Sequence, residues 1–305
     1  MPLDVLVTGA SGFIGSHLTT ALEAAGHRVR AMTRNPDRYK GAGEAVGGDV
    51  EDPSTLSEPM QGVDVAYYLV HSLSSRDFEA VDARAARDFG RAAAQANVRR
   101  IVYLGGLGAD TATLSAHLRS RREVESLLGQ AGVPVTVLRA AVVIGHGGIS
   151  WELTRQLVDH LPLMLAPRWV NTRTQPIALP DVIRYLVGVL DVPETAGRVY
   201  DVGGPDVLRY VDMMQRAARL QNHRPLPVIT VPLLTPHLSS MWLALVTDVD
   251  VPTARNLIDS MTNEVVVRGT PIQSVISGPA MGYDDAVRAA LRDRLEADES
   301  GQGAR

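Results

Sequence analysis

The sequence predicts an α/β protein, with a doubly wound parallel sheet and a smaller, irregular, mostly helical C-terminal lobe. Short β-rich runs alternate with longer helical patterns through the first half of the 305 residues, which is typical of a parallel sheet with helices on both faces. A glycine-rich segment separates the first strand from the first helix. Prolines interrupt the second half, which indicates short elements and loops there.

The predicted elements follow in a regular order. Strands are expected over residues 3–8, 28–33, 63–70, 99–104 and 133–139. Helices are expected over residues 14–25, 77–96 and 113–130. The second half adds a strand over 198–202 between helices over 181–190 and 210–220.

This pattern divides the chain into two interleaved parts. Residues 1–145 are expected to form the core, and residues 146–296 the smaller lobe, which returns the strand near 198–202 to the core. Residues 297–305 contain no apolar anchor, so a frayed tail is expected there.

Composition excludes several classes of protein. The 30 basic and 34 acidic residues give a net charge of −4, which disfavours a nucleic-acid partner because phosphate binding needs clustered positive charge. The chain has no cysteine, so disulfides and thiolate metal sites are excluded, and we expect no metal site and a cytoplasmic location. The apolar stretch 228–247 is interrupted by Pro232 and Pro236, so no membrane span is expected.

The strongest motif is the segment from Thr8 to Gly15, which reads TGASGFIG at the junction of a strand and a helix. Gly9 permits a tight turn, Gly12 lets a pyrophosphate approach the backbone, and Gly15 lets the helix pack closely on the strand. Free N–H groups at the helix start then favour a phosphate. A glycine-rich turn without a ligand is the alternative.

The segment TGASGFIG resembles the fingerprint of the extended and atypical short-chain dehydrogenase/reductase superfamily. The resemblance to this superfamily extends over most of the chain, from Val5 to about Ala290. The segments YYLVHS, PRWV and QPIAL (67–72, 167–170 and 175–179) are most similar to a bacterial, NmrA-like NAD(P)H-binding branch. The resemblance to that branch implies a further C-terminal domain in its members, which we do not expect in this sequence. The resemblance implies a Rossmann core and a homodimer. It also implies these cofactor-binding residues: Gly9, Ser11, Gly12, Phe13, Ile14, Gly15, Asp49, Val50, Leu69, Val70 and His71.

The choice of cofactor depends on the end of the second strand. NAD sites place an acid there, about 20 residues beyond the glycines, to bind the ribose 2′-hydroxyl. This sequence has Arg34 instead, which can stack on adenine and pair with a 2′-phosphate, and Arg38 can assist. NADP(H) is therefore favoured over NAD(H). A solvated basic turn is the alternative.

The catalytic pattern of the family is broken here. The family uses a Tyr with a Lys four residues later, and the matching positions hold His117 and Arg121, followed by Glu125. His117 can move a proton, and Arg121 can orient a nicotinamide ribose. The alternatives are a degenerate site and a surface ion pair with Glu125. His71 follows the predicted strand over 63–70. It is expected to face the ligand crevice at the carboxyl ends of the strands, or to bond its own loop.

A substrate pocket is predicted from an indole beside guanidinium groups. Arg139 ends the predicted strand over 133–139. Arg168, Trp169 and Arg173 share one loop of the second half. Together they can form the floor of a pocket for an anionic or planar substrate. A structural clamp between the lobes is the alternative.

Three functions follow from these features. The first is an NADP(H)-dependent oxidoreductase that transfers a hydride to or from a small organic substrate without the usual Tyr–Lys pair. The second is a non-catalytic NADP(H)-binding redox sensor or scaffold with a regulatory protein partner. The third, an epimerase or dehydratase of sugar-nucleotide type, ranks last because it needs the missing Tyr.

Overall fold

The computed structural model describes residues 1–72, 77–108, 114–160, 163–222, 226–230 and 251–299. These residues form thirteen strands: β1 (Asp4–Thr8), β2 (Arg28–Thr33), β3 (Glu44–Gly47), β4 (Val65–Tyr68), β5 (Arg100–Gly106), β6 (Val135–Ala140), β7 (Val143–Ile144), β8 (Met164–Ala166), β9 (Arg173–Thr174), β10 (Ile177–Ala178), β11 (Val199–Val202), β12 (Leu208–Arg209) and β13 (Val228–Thr230). The described helices are α1 (Phe13–Ala24), α2 (Ser57–Met60), α3 (Phe78–Gln95), α4 (Ala116–Leu128), α5 (Ile149–His160), α6 (Leu179–Gly188), α7 (Tyr210–Asn222), α8 (Val251–Met261) and α9 (Tyr283–Glu299).

Seven strands form one parallel sheet in the order β11-β6-β5-β4-β1-β2-β3. The sequence order reverses between β1 and β4, and this switch point is where ligands bind in doubly wound sheets. Thr8 links the two strands there: its hydroxyl donates to the carbonyl of Tyr67 at 3.0 Å and accepts from the amide of Leu69 at 3.1 Å. The predicted doubly wound α/β fold is confirmed.

Helices cover both faces of this sheet because successive strand residues point to opposite sides. Tyr67 is buried in the layer that contains α1 and α6, where its hydroxyl donates to the carbonyl of Leu186 at 2.6 Å. Tyr68 points to the opposite layer and packs edge-on against Phe89 of α3. The sheet is therefore a rigid platform for the loops at its carboxyl end.

The C-terminal lobe has its own core. Helices α5, α7, α8 and α9 contribute Trp151, Met213, Ile258 and Val287, all almost fully buried. Three two-stranded sheets, β10-β7, β12-β9 and β13-β8, complete the lobe. β11, which follows β10 in the chain, pairs with β6 and so interleaves the lobe with the large sheet.

Three features differ from the sequence-based expectations. Strand β3 and helix α5 were not predicted, because β3 is a short edge strand and α5 follows a run of glycines. The tail expected from residue 297 continues as helix through Glu299, because Val287 and Ala290 anchor α9 in the core. Residues 300–305 and most of the apolar stretch 228–247 lie outside the described residues. Among the described helices, none is both long and apolar enough to span a membrane.

Candidate active site

The glycine segment forms a tight turn between β1 and α1. Gly9 adopts φ +65°, which glycine accepts without strain, and the amide of Gly12 donates to its carbonyl at 2.9 Å. A Cβ on Gly15 would lie 2.1 Å from the same carbonyl oxygen, so only glycine fits there. No side chain caps α1, which leaves the amide groups of its first turn for a phosphate. The segment therefore fits a dinucleotide pyrophosphate.

A cleft of about 480 Å³, the cofactor cleft, opens beside this turn. It contains most of the predicted cofactor residues: Gly9, Ser11, Gly12, Arg34, Asp49, Val50, Leu69, Val70 and His71. Arg38 is exposed and is not among the lining residues. Phe13 and Ile14 face the next cavity instead, and Gly15 is buried behind the turn.

The far end of the cofactor cleft is shaped by the loop after β3. The amide of Asp49 donates to the hydroxyl of Thr55 at 2.9 Å, and its carboxylate accepts from the amide of Glu51 at 3.0 Å. These bonds fix the loop so that Val50 lines the cleft opposite Arg34 and the end of β2. The arrangement suits a planar base with a ribose between the two loops.

A second cavity of about 170 Å³, the outer chamber, adjoins the cofactor cleft at His71, which lines both. His117 and Arg121 reach it from α4, because residues four apart lie on the same face of a helix. The ends of β5 and β6 contribute Gly105 and Ala140. The structure therefore brings together the three residues predicted to act in catalysis.

Arg121 controls the charge of this chamber. Its guanidinium donates to the carbonyl of Leu104 at 3.1 Å and lies 5.3 Å from the ring centre of Tyr103. Burial, the Arg121 charge and His71 together lower the pKa of His117 to about 3. Desolvation and the Arg121 charge also lower the pKa of His71. Both imidazoles are therefore neutral at pH 7, and each carries one N–H donor and one acceptor nitrogen.

A buried carboxylate that sequence reasoning missed lies beneath this site. Asp82 of α3 is 4% exposed and accepts from the amide of Ser72 at 2.9 Å and from the hydroxyl of Ser120 at 3.4 Å. Burial raises its pKa, against the opposing charge of Arg121. Asp82 thus holds the segment that carries His71. An acid on the apolar face of α3, four residues after Phe78, was the available signal.

The first turn of α1 also touches the lobe. Phe13 packs against the loop before α5, where a Cβ on Gly148 would lie 2.7 Å from its ring and one on Gly145 would lie 3.1 Å from it. Gly147 in the same loop adopts φ +82°. The glycines of this loop therefore make room for the aromatic ring beside the outer chamber, a contact that the sequence did not reveal.

The four residues predicted for a substrate pocket do not come together. Arg139 forms a bidentate pair with Glu125, with distances of 2.8 and 3.1 Å to its two oxygens. Trp169 packs in the lobe core against Tyr210, and Arg173 pairs with Glu264 at 2.8 Å on the surface. Arg168 is exposed. None of the four lines the cofactor cleft or the outer chamber. Other partners hold Arg139, Trp169 and Arg173.

The fold and the cleft define a dinucleotide-binding protein of Rossmann type. Residues 9–160 match the family model described as NAD(P)H-binding. The chain is also 26% identical over 228 residues to a ceramide reductase of Caulobacter vibrioides, an alignment that covers 72% of this chain and 71% of that protein.

Two further comparisons give a relative in sequence and a relative in fold. The chain is 28% identical over 189 residues to an uncharacterized protein of Mycobacterium tuberculosis, which covers 62% of this chain. It spans only 20% of that relative's length. The NADPH complex of an NADPH-dependent quinone oxidoreductase from Escherichia coli has the same fold, with a TM-score of 0.76 at 19% identity over 94% of this chain and 99% of that one.

Proposed function

We propose that this chain is an NADP(H)-dependent oxidoreductase that transfers a hydride to or from a small organic substrate. The observation that carries this proposal is that the outer chamber adjoins the cofactor cleft at His71, which lines both. A dinucleotide whose pyrophosphate lies on the glycine turn would thereby extend toward His117 and Arg121. The Caulobacter reductase supports the same reaction class.

The residues of the chain take distinct roles in this proposal. When bound, the reduced nicotinamide supplies a hydride to a carbonyl or enone carbon; the π electron pair moves to the oxygen, which gains a proton as NADPH becomes NADP⁺. The neutral His117 ring donates an N–H hydrogen bond to that oxygen, and solvent supplies the proton. Arg121 orients the nicotinamide ribose from the same face of α4.

The preference for NADP(H) is proposed from the end of β2. Arg34 lines the cofactor cleft there, next to Thr33, at the position where NAD sites hold an acid. Its guanidinium is suited to a 2′-phosphate, and its exposure leaves it free to fold over the adenine. The resemblance of the fold to an NADPH complex is consistent with this preference.

The test is titration calorimetry with NADPH, NADP⁺, NADH and NAD⁺. We expect Arg34→Ala to weaken binding of NADP(H) by about tenfold to a hundredfold and to weaken NAD(H) much less, since only NADP(H) loses the charge-assisted bond to the 2′-phosphate, which contributes about 1.5–3 kcal/mol. Arg38→Ala is the matched control, because it removes an equal charge outside the cleft lining. Equal affinity of the wild type for all four dinucleotides would sink the assignment of Arg34.

A second candidate is a non-catalytic NADP(H)-binding regulator with a protein partner. The observation that favours it is the charge state of the site: a His replaces the family's Tyr, and neither imidazole is protonated at pH 7. This candidate predicts the same dinucleotide affinities without turnover. Loss of NADPH absorbance with aldehydes, ketones and quinones separates the two, because a regulator reduces none of them.

A further inference from the structure

A third cavity of about 100 Å³, the inner chamber, continues from the outer chamber into the lobe. The two chambers share His117, Ala141, Ser150 and Leu257. The inner wall is formed by Tyr210 at the start of α7 and by residues at the end of α8. If the proposed function holds, a substrate that meets the nicotinamide in the outer chamber extends into this space.

The described lining of the inner chamber contains no charged side chain. Arg121 of α4 lines the outer chamber and not this one, and the other two arginines of α4 are directed elsewhere. Arg119 donates to the carbonyl of Leu114 at 2.9 Å, and Arg122 donates to the carbonyl of Gly108 at 2.6 Å and to Glu125 at 3.0 Å. From this helix Leu118 lines the inner chamber, and these arginines do not. A charged group placed there would lose its hydration without gaining a counter-ion from the described lining, which is unfavourable.

The described lining of the inner chamber has few polar side chains, and one of them, Ser260, is already engaged. The hydroxyl of Ser260 donates to the carbonyl of Asn256 at 2.8 Å and lies 3.3 Å from the hydroxyl of Ser115. Tyr210 is 5% exposed, and burial raises its pKa to about 12, so its phenol is neutral. His117 lines both chambers. It therefore connects the inner chamber with the outer chamber, where the proposed nicotinamide would lie.

We propose that the inner chamber selects a compact substrate whose distal end is uncharged and apolar, with the reacting carbonyl held against His117 in the outer chamber. Met261 limits the depth of the inner chamber. Beyond it and Tyr210 lies a small void of about 10 Å³, lined also by Met213, Met214 and Trp169. Met261 therefore sets the length of the substrate that the chamber accepts.

The first experiment compares two ligands of one skeleton on the NADP⁺-loaded wild type. Titration calorimetry with 4-methylacetophenone and 4-acetylbenzoate exchanges an apolar methyl group for a charged carboxylate at the distal end. We expect the uncharged ketone to bind at least about tenfold more tightly than the carboxylate. Equal affinities, or tighter binding of the carboxylate, would overturn the inference.

The second experiment locates the ligand. Met261→Ala should join the inner chamber to the small void and improve binding of 4-butylacetophenone by about tenfold, since each buried methylene favours binding about fourfold. Met214→Ala is the matched control: it removes the same side chain from the same core but leaves Met261 as a barrier. Equal gains in both variants, or no gain in Met261→Ala, would refute the inference.

A third variant addresses the same space without creating a cavity. Ala141→Leu narrows both chambers, so it should weaken binding of 4-methylacetophenone at least about tenfold while NADP⁺ still binds. NADP⁺ binding is measured first in every variant. Absence of NADP⁺ binding in the wild type contradicts the proposed function itself. If NADP⁺ binds but the ligand affinities do not differ between the compounds and variants as expected, only the inner-chamber proposal is contradicted.

Discussion

The cofactor cleft and the two chambers beyond it are built in different ways. The cleft is formed by four short segments at the carboxyl ends of β1 to β4, all within residues 8–72. The chambers draw on residues from Phe13 to Val265, contributed by two sheet strands and several helices. One site is local in the sequence and rich in backbone atoms, and the other is assembled from distant side chains.

This difference explains why the family pattern survives in one place and not in the other. In the glycine turn beside the cleft, Gly9 adopts a positive φ that favours glycine, and Gly15 has no room for a Cβ. In the chambers, the positions of His117 and Arg121 require only a side chain of suitable reach on one face of α4. Those positions admit different chemistry without disturbing the fold, so the class of cofactor is better determined than the reaction.

The strongest test of the backbone-built cleft is Gly15→Ala. The added Cβ would lie 2.1 Å from the carbonyl oxygen of Gly9 and 2.8 Å from Cα of Ala10, so α1 must move away from β1. We expect binding of every dinucleotide to be lost in calorimetry and the free energy of unfolding to fall by about 3 kcal/mol.

Gly47→Ala is the control for that change. A Cβ on Gly47 meets only Pro36, at an ordinary contact distance of 3.7 Å, and Gly47 is not among the residues that line the cleft. Its unfolding midpoint and dinucleotide affinity should match the wild type. If Gly15→Ala still binds dinucleotide normally, the close packing of α1 on the turn is not what the cleft requires.

The ion pair between Glu125 and Arg139 tests whether a side chain predicted for the substrate is structural. Glu125 is 8% exposed and also accepts from Arg122, so Glu125→Ala removes a carboxylate shared by two guanidiniums. We expect a loss of about 2 kcal/mol in denaturant unfolding, because partly buried charges lose their counter-ion, with NADP⁺ affinity unchanged.

Glu264→Ala provides the matched comparison. Its pair with Arg173 is exposed, with 58% of the arginine side chain open to solvent, so the loss should stay below about 1 kcal/mol. A Glu125→Ala variant that keeps wild-type stability but loses NADP⁺ or ketone binding would support the original prediction that Arg139 belongs to the substrate site.

Much of this molecule follows from the sequence, and what does not has identifiable causes. The sheet and its helices were predictable because alternating and helical periods are local properties of the chain. The cleft was predictable because a fixed glycine spacing reports a fixed backbone shape. Arg168, Trp169 and Arg173 misled because neighbours in a loop need not share a pocket: Trp169 is buried against Tyr210, and Arg173 is at the surface.

Other features needed three-dimensional contacts. Asp82 lies ten residues beyond Ser72, and only the packing of α3 against α4 turns it toward the segment that carries His71. The inner chamber depends on α8, whose Ser260 bonds to Ser115 across 145 positions of sequence. The hydrophobic periodicity of the sequence does not predict a contact between residues so far apart. Residue types alone could therefore propose His117 and Arg121, and not the apolar space behind them.

The smallest expected effect concerns the charge of His117. Its pKa in the folded protein is lowered from 6.5 to about 3, by burial first and then by Arg121 and His71. The folded state therefore disfavours the proton that the unfolded chain binds. The stability supplied by the neutral ring is fully present above about pH 6.5 and is lost as the pH falls toward 3.

Denaturant unfolding of the wild type and His117→Gln at pH 7 and pH 5.5 measures this linkage. We expect the wild type to lose about 1 kcal/mol more than the variant over that interval, because each pH unit below 6.5 costs about 1.4 kcal/mol for a fully excluded proton. Parallel losses would mean that His117 protonates freely in the folded state. It would then act as an imidazolium acid, and the chambers would supply the proton that the proposed mechanism takes from solvent.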